Sequence, residues 1–337
     1  MTAGRAHDPA ARPALRTRIF SRANGGGLMR DLRLVSGVLA GAGHAVEPVA
    51  FGKEKGLRNL RLGGMWLAGA WRGRVDVQIA LEHMYPRSFA LAPRNLLVPN
   101  PEWFRADYHA SLRHIDVMLC KTPHAMRIFS GLGCEARYVG FTSEDRRDPS
   151  VPRRREFLHL AGRSPVKGTG VVLEAWRRHP EWPRLVVVQS ARNARPGGAG
   201  ANVDYRVGRM DDAALLELQN ACLFHICPSE AEGFGHCLVE GLSVGAINLT
   251  TDGAPMNEVV GPECGVLIPP VRTGPMGLAT RYGVDVRGVE DAVEQVLAMD
   301  AAALAEMSRR ARARFESMDG GFRARFPRIV AEAVLAS

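Results

Sequence analysis

Two carboxylates that could bind a sugar lie close together in the second half of the chain. Glu232 and Glu240 are eight residues apart in the segment PSEAEGFGHCLVE, residues 228–240. Glu232 falls on a glycine turn after a predicted strand, and Glu240 lies in the helix that this turn opens. Amides near Phe234 and Gly235 suit a phosphate, and the carboxylates suit paired sugar hydroxyls without needing a metal.

Two cations occupy another predicted loop. Arg163 and Lys167 are four residues apart in GRSPVKG, directly after a predicted strand over residues 156–161. Arg can clamp phosphate oxygens in a fork, and Lys adds a point charge. A third loop, TDGAPMNE at residues 251–258, contains a further glycine turn and ends in a carboxylate. Because ligands of parallel sheets bind beyond the carboxyl ends of the strands, we expect the three loops to share one site.

Together and in this order, the three segments resemble the nucleotide-sugar half of the glycosyltransferases of family 4, which have the GT-B fold. The strongest match is the E-x7-E motif within PSEAEGFGHCLVEGLSVG, and the resemblance is specific over residues 156–270. The chain departs from the family in having Gly241 where Ala is usual, and in an Arg-to-Lys spacing one residue shorter than the common form.

The resemblance implies a role for each matching residue. In that family the Arg and Lys neutralise the donor diphosphate, the first Glu contacts the donor sugar and the second Glu holds the ribose. These roles fall to Arg163, Lys167, Glu232 and Glu240, with Glu232 as a catalytic residue and Gly233, Phe234 and Gly235 beside the sugar. The implied reaction is a retaining transfer of a hexosyl group that needs no metal and no cofactor.

The first half offers further candidate residues at predicted strand ends. A glycine turn after the first strand corresponds in position to one that approaches the donor phosphate in such enzymes, although a plain tight turn explains it equally well. It consists of Gly25, Gly26 and Gly27. His83 is a candidate catalytic residue, with a structural role as the alternative. Glu82 and Glu102 are candidates for the acceptor side.

Strands alternate with helices along the whole chain, which predicts parallel α/β sheets. With the resemblance, the expected fold is α/β of the GT-B type, with two Rossmann-like α/β/α domains that face each other across a cleft. The charged, proline-containing segment over residues 142–155 marks the linker. The predicted parts are a disordered tail (1–14), an acceptor-side domain (15–150), a nucleotide-sugar domain (151–318) and a C-terminal helix after Gly320 and Gly321 that packs back on the first domain (319–337).

The stretch over residues 53–74, KEKGLRNLRLGGMWLAGAWRGR, supports two interpretations. It contains six cations, one acid and two tryptophans. It could form a basic surface, anchored by Trp66 and Trp71, that contacts an anionic membrane. The alternative is a core helix and loop with both tryptophans buried. Glycines interrupt the helical period, which favours the second interpretation.

Composition narrows the functional classes. The net charge of +9 lies entirely in residues 1–150, which contain 22 Lys and Arg against 13 Asp and Glu, so this half could meet an anionic partner or could simply be well solvated. No apolar run reaches the roughly 18 residues of a membrane span, and no secretory signal is evident. The six cysteines lack zinc or disulfide spacing. No nucleic-acid-binding motif accompanies the charge, and no G-x-G-x-x-G follows the first strand, which argues against a dehydrogenase.

The predicted protein is therefore a cytoplasmic glycosyltransferase, with the inner face of the membrane as a further location. Its partners would be a nucleotide-sugar donor and a hydroxyl-bearing acceptor, acidic and lipid-linked compounds included, in the synthesis of cell envelope, polysaccharide or another glycoconjugate. A non-catalytic nucleotide-sugar-binding protein on the same fold is the alternative, because a fold does not fix a function.

Overall fold

The computed structural model describes residues 14–23, 26–194, 197 and 200–335. The chain divides into two compact units. The N-terminal unit contains the described residues up to 98, residues 107–119 and those from 323 onward, and the C-terminal unit contains residues 99–106 and 120–322. The domain limits predicted near residues 150 and 318 stay predictions. The predicted tail lies outside the described residues, apart from residue 14.

The first sheet has six strands in the order β2-β1-β3-β4-β5-β6. The pairs β1–β2, β1–β3, β3–β4 and β4–β5 are parallel. Strand β3 is buried along its whole length, as expected for a strand of a parallel sheet that is covered on both faces. The elements are β1 (Arg16–Arg22), α1 (Gly27–Gly41), β2 (Ala45–Phe51), α2 (Lys55–Arg72), β3 (Val77–Leu81), β4 (Arg94–Val98), β5 (Val117–Cys120), α3 (Pro123–Gly131) and β6 (Ala136–Tyr138), with 3-10 helices over Pro86–Leu91, Pro101–Trp103 and Ala106–His114.

The second sheet has six parallel strands in the order β12-β11-β10-β7-β8-β9. An antiparallel hairpin of β13 and β14, which the sequence did not predict, follows it. The elements are β7 (Arg154–Gly162), α4 (Thr169–Arg178), β8 (Leu185–Gln189), β9 (Val203–Val207), α5 (Asp212–Ala221), β10 (Cys222–Cys227), α6 (His236–Ser243), β11 (Ile247–Thr251), α7 (Met256–Val259), β12 (Gly265–Ile268), β13 (Arg272–Met276), β14 (Ala279–Gly283), α8 (Val286–Ala298) and α9 (Ala301–Leu335). The two parallel sheets confirm the predicted α/β class.

An aromatic cluster holds β7, β10 and α4 together in the C-terminal unit. The ring of Phe157 stacks on Phe224 at 4.6 Å and meets Trp176 edge-on at 4.9 Å. All three side chains are fully buried, and the indole N–H of Trp176 donates to the Pro183 carbonyl at 3.0 Å. Such aromatic pairs add to the free energy of burial and fix the two strands side by side. The loops that follow β7 and β10 are thereby held next to each other.

Two predictions about helices are wrong. Helix α9 continues through Gly320 and Gly321, where a break was predicted, and it also contains Pro327. Ala311, Phe315 and Phe322 are buried on one face of it, and this packing offsets the low helix propensity of the glycines. Helix α2 is also continuous, and its Trp66 and Trp71 are 58% and 90% exposed instead of buried. The side of α2 that packs on the unit consists of Leu62, which is buried, and Met65, which is half-buried.

Two buried histidines of the C-terminal unit make the stability of the folded protein depend on pH. Burial lowers the pKa of His159 to about 4 and that of His225 to about 3. The Nδ1 of His159 lies 2.7 Å from the Ile226 carbonyl, and the Nε2 of His225 lies 3.1 Å from the Gln219 carbonyl. Both rings are therefore neutral in the folded protein at neutral pH.

We expect the folded protein to lose stability as the pH falls from 6.5 towards 4. In this window the unfolded chain binds protons at both histidines while the folded chain does not, so the free energy of unfolding falls by up to about 1.4 kcal/mol per pH unit for each. Urea unfolding at several pH values measures the slope. His225→Asn keeps a polar side chain and should flatten that slope; equal slopes in variant and wild type would refute the assignment.

Candidate functional site

Three loops predicted from sequence meet at one edge of the second sheet. Strand β10 pairs with β7 on one side and with β11 on the other, and all three run parallel. Their carboxyl ends therefore lie at the same edge. The loop after β7 contains Arg163 and Lys167, the loop after β10 contains Glu232, and the loop after β11 contains Glu258. The three loops therefore lie at one edge of the sheet, and their sharing of one binding site stays a prediction.

Lys167 and Glu232 form an ion pair at this edge. The Nζ of Lys167 contacts the Oε1 of Glu232, and each side chain is only 13% exposed. The same Nζ lies 3.3 Å from the Sγ of Cys237 in the first turn of α6. Burial opposes the charged form of Lys167, but Cys237 and Glu232 outweigh it and raise the pKa of Lys167. The ammonium group is therefore fully charged at neutral pH.

A pair of cysteines adds to this charge cluster. Cys227 ends β10, and its thiol hydrogen-bonds to Cys237. This bond lowers the pKa of Cys237, as does Lys167, whereas it raises the pKa of Cys227. The pair could not be predicted from the sequence, because the two residues are ten positions apart and only the strand-turn-helix path brings them together.

A close contact joins the loop after β7 to the loop after β10. Gly168 has a φ of 68°, and a Cβ at this position would lie 2.4 Å from the Pro228 carbonyl oxygen. Only glycine fits both the left-handed backbone and the space. The N–H of Glu230 also donates to the Val166 carbonyl at 2.9 Å. Lys167 is thus held between two fixed points and directed at Glu232.

Glu240 lies in a buried chain of hydrogen bonds. Glu240 is only 5% exposed, and its carboxylate accepts a hydrogen bond of 2.8 Å from the Nε2 of Gln219. The Oε1 of Gln219 in turn accepts from the Nε of Arg146 at 2.9 Å, and Arg146 pairs with Asp212 at 2.8 Å. This chain fixes the direction of the Glu240 carboxylate. Arg146 is buried, although its segment was predicted to be a charged linker.

The turn that carries Glu232 also contacts a segment from the first half of the sequence. A Cβ on Gly233 would lie 2.6 Å from the Oε1 of Glu102 and 2.7 Å from the Oδ1 of Asn100. Glu102 is buried at 6% exposure, so its carboxylate supports the turn. Its predicted place on the acceptor side stays a prediction.

Helix α6 begins directly after the glycine turn. Gly235 is its N-cap residue, with a φ of 93°. The side chain of Phe234 is buried against the ring of Phe141 at 5.1 Å, so only the backbone of Phe234 could contact a bound sugar. The first-turn amides of α6 point towards the Glu232 turn, as amides do at any helix start.

The carboxylate of Glu258 accepts hydrogen bonds from other residues of the protein. Its Oε2 accepts from the N–H of His124 at 2.9 Å, in the first turn of α3, and its Oε1 accepts from Arg127 at 2.6 Å. The loop after β11 is therefore hydrogen-bonded to the start of α3.

A pocket of about 400 Å3 opens beside the start of α4. Its lining includes Gly168, Thr169, Tyr205, Pro228 and Arg272.

The remaining predicted residues belong to the N-terminal unit. Gly26 precedes α1 and accepts a bond of 3.1 Å from Met29, Gly27 begins the helix, and Gly25 lies outside the described residues. Glu82, at the end of β3, has a φ of 63°, which is uncommon for a residue with a side chain. The Nε2 of His83 lies 3.5 Å from the Oε1 of Glu82 and 3.5 Å from the Nη1 of Arg22.

Two features are absent from the part of the chain that the structure describes. No three His, Cys, Asp or Glu side chains there are grouped so that they could hold a metal ion. No helix in the described part of the chain has the length and apolar character to cross a membrane.

The fold is similar to that of glycosyltransferases of known structure. Sucrose-phosphate synthase from Thermosynechococcus elongatus has a TM-score of 0.74 and 15% identity, over 96% of this chain and 100% of that one. A glycosyltransferase from Rickettsia africae (TM-score 0.69, 14% identity) and HepE of Anabaena in complex with UDP (0.68, 12%) match with the same coverage. Protein-family models and curated proteins give no match. The expected GT-B fold class is confirmed, and membership of family 4 stays a prediction.

We expect Gln219→Leu to destabilise the C-terminal unit, because it removes the donor to Glu240 and the acceptor for Arg146. Leaving two buried charged groups without these bonds lowers the free energy of unfolding by about 1–3 kcal/mol. Arg147→Met, at the exposed neighbour of Arg146, should change it by less than about 0.5 kcal/mol. Urea unfolding measures both. Equal small effects would show that the chain of bonds contributes nothing to stability.

Proposed function

We propose that the protein is a retaining, metal-independent glycosyltransferase that moves a hexosyl group from a nucleoside-diphosphate sugar to a hydroxyl acceptor. The observation that carries this proposal is the charged Lys167 beside Glu232, at the start of α6 and at the shared edge of β7 and β10. The cation and the helix amides suit the diphosphate of such a donor, which is also its leaving group, and the carboxylate suits the sugar hydroxyls.

The diphosphate is the part that needs the strongest stabilisation. When the bond to the sugar breaks, negative charge develops on the leaving phosphate, and fixed positive groups near it lower the barrier. Lys167 supplies a charge that its raised pKa keeps in place at neutral pH. Arg163 is exposed on the same loop and can reach a phosphate with its fork of N–H donors. These two cations and the first-turn amides of α6 take the role that a metal has in other transferases.

The two glutamates act on opposite parts of the donor. Glu232 lies on the glycine turn with Gly233 and Gly235, where its carboxylate can accept hydroxyls of the sugar. Glu240 is held by Gln219 and lies deeper in α6, which suits the two hydroxyls of a ribose. Because Glu232 also pairs with Lys167, binding of the sugar and neutralisation of the diphosphate are coupled.

Retention follows from attack on the same face that the diphosphate leaves. Bond cleavage runs ahead of attack through an oxocarbenium-like transition state. The acceptor hydroxyl loses its proton to the departing phosphate oxygen, so that no side chain has to act as the base. His83 and Glu82 are proposed to contact the acceptor from the N-terminal unit. The donor roles are supported by the resemblance of the E-x7-E segment to family 4.

The structural neighbours support the choice of donor. HepE has been solved with UDP and with UDP-glucose, and the Thermosynechococcus protein is a sucrose-phosphate synthase. We propose a nucleotide sugar of this class as donor here, and a role in cell-envelope, polysaccharide or other glycoconjugate synthesis. The proposed location is the cytoplasm, at the membrane surface.

A non-catalytic nucleotide-sugar-binding protein remains the second candidate. The pairing of Lys167 with Glu232 serves binding as well as catalysis, so only turnover separates the two functions.

The test is a turnover assay of the purified protein with UDP-, GDP-, ADP- and dTDP-sugars in the presence of EDTA. We expect slow release of one nucleoside diphosphate, and NMR of the released or transferred sugar should show the anomeric configuration of the donor. Lys167→Ala removes the main positive charge at the leaving group and should lower kcat/KM roughly 100-fold.

Arg287→Ala, which removes an exposed cation on α8 of the same unit, serves as the matched control and should leave kcat/KM unchanged. Binding of a donor with no release and no transfer would favour the non-catalytic protein. Turnover that EDTA abolishes would overturn the metal-independent mechanism, and an inverted product would overturn retention.

A further inference from the structure

Helix α2 presents a row of large apolar side chains outward from the N-terminal unit. Leu57, Leu60, Leu67 and Trp71 follow one another at helical spacing on one face and are 63%, 74%, 58% and 90% exposed. We call these four residues the outer row. Leu62 is the only residue that is buried in this helix of 18 residues. The apolar character of the outer row is therefore not explained by the packing of the unit.

The opposite side of α2 is the one that packs on the unit. Leu62 and Met65 contact a cluster that includes Phe20, Phe51 and Tyr85. The guanidinium groups of Arg58 and Arg61 lie 5.9 Å from the ring centres of Tyr85 and Phe51. The outer row thus points away from a core that is already complete. Apolar side chains exposed in a contiguous row are a typical mark of a binding surface.

Positive charge lies on and beside α2. Lys55, Arg72 and Arg74 are exposed, and Glu54 is the one acid between residues 53 and 74. A pocket of about 290 Å3 opens at the C-terminal half of the helix, and its lining includes Trp66, Arg16, Arg18, Arg72, Arg74 and Glu47. Glu47 pairs with Arg18 at 2.8 Å, so the other three arginines dominate the charge of the pocket.

We propose that α2 binds the surface of an anionic lipid bilayer. The helix lies in the plane of the bilayer, with the outer row below the headgroups and the arginine-lined pocket facing lipid phosphates. An apolar face flanked by cations is the pattern that places a helix at such an interface. Trp71 and the arginine stems suit this depth, because each combines an apolar body with a polar end.

The positive charge beside α2 favours an anionic bilayer over a second copy of the chain as its partner. In a symmetric dimer the same arginines and Lys55 would face each other across the contact, and like charges at close range oppose association. An anionic surface instead pairs each cation with a phosphate. This inference concerns a surface of the N-terminal unit and does not rest on the proposed transfer reaction.

Sedimentation with vesicles tests the proposal. We expect the full chain to bind vesicles of phosphatidylcholine mixed with phosphatidylglycerol, to bind pure phosphatidylcholine far more weakly, and to dissociate as salt is raised. Trp71→Ala should lower the partition coefficient roughly tenfold, because it removes the largest side chain of the outer row. Lys55→Gln with Arg72→Gln should also weaken binding and reduce its dependence on salt.

Trp103→Ala is the matched control, since Trp103 is 50% exposed but lies in the other unit, and it should leave partition unchanged. All these positions are exposed, so the variants should keep the wild-type thermal unfolding midpoint. Binding to neutral vesicles as strong as to anionic ones would overturn the proposal. So would absence of vesicle binding together with a dimer in solution that Trp71→Ala converts to a monomer.

Discussion

A buried ammonium group is stable only beside an opposite charge, and Lys167 meets this condition through Glu232. Both side chains are only 13% exposed, and together with Cys237 the Glu232 carboxylate outweighs the cost of burial and raises the pKa of Lys167. The pair requires two loops from different strands to stay in contact. Gly168 against Pro228 and the Glu230–Val166 hydrogen bond provide that contact, and the aromatic cluster below holds the strands that carry the loops. The arrangement of the C-terminal unit thus serves to keep one cation and one carboxylate together.

The second carboxylate is stabilised in a different way. Glu240 accepts a hydrogen bond from the neutral amide of Gln219, which in turn accepts one from Arg146. Glu232 instead contacts an ammonium group directly. In the proposed site, Glu232 stays paired with the diphosphate-binding cation while Glu240 binds the two hydroxyls of a ribose.

The sequence was informative where short-range rules determine the structure. Apolar runs marked the strands, glycine turns marked the loops at their ends, and the spacing of Glu232 and Glu240 placed both near α6. It was uninformative where tertiary packing decides. Arg146 lies in a segment whose composition is typical of a linker, and only the fold brings Gln219 to it.

The same limit explains the two wrong helix predictions. The glycines in α2 and α9 suggested interruptions, but each helix packs on one side against the core, which outweighs the cost of the glycines. The sequence left both an exposed and a buried Trp71 open and favoured the buried one, because an apolar residue on a helix is usually buried and the pattern does not say which side meets the protein. Roles for Glu82, His83 and Glu102 depend on an acceptor that the donor site does not specify.

The most direct test of the central claim is calorimetric titration of UDP, GDP, ADP and dTDP into the metal-free protein and into Lys167→Met. The account predicts that one of these nucleotides binds the wild type and binds Lys167→Met at least about tenfold more weakly, because the variant keeps the length of the side chain and loses its charge. Equal affinity in the two proteins, or no binding of any of the four, would contradict it.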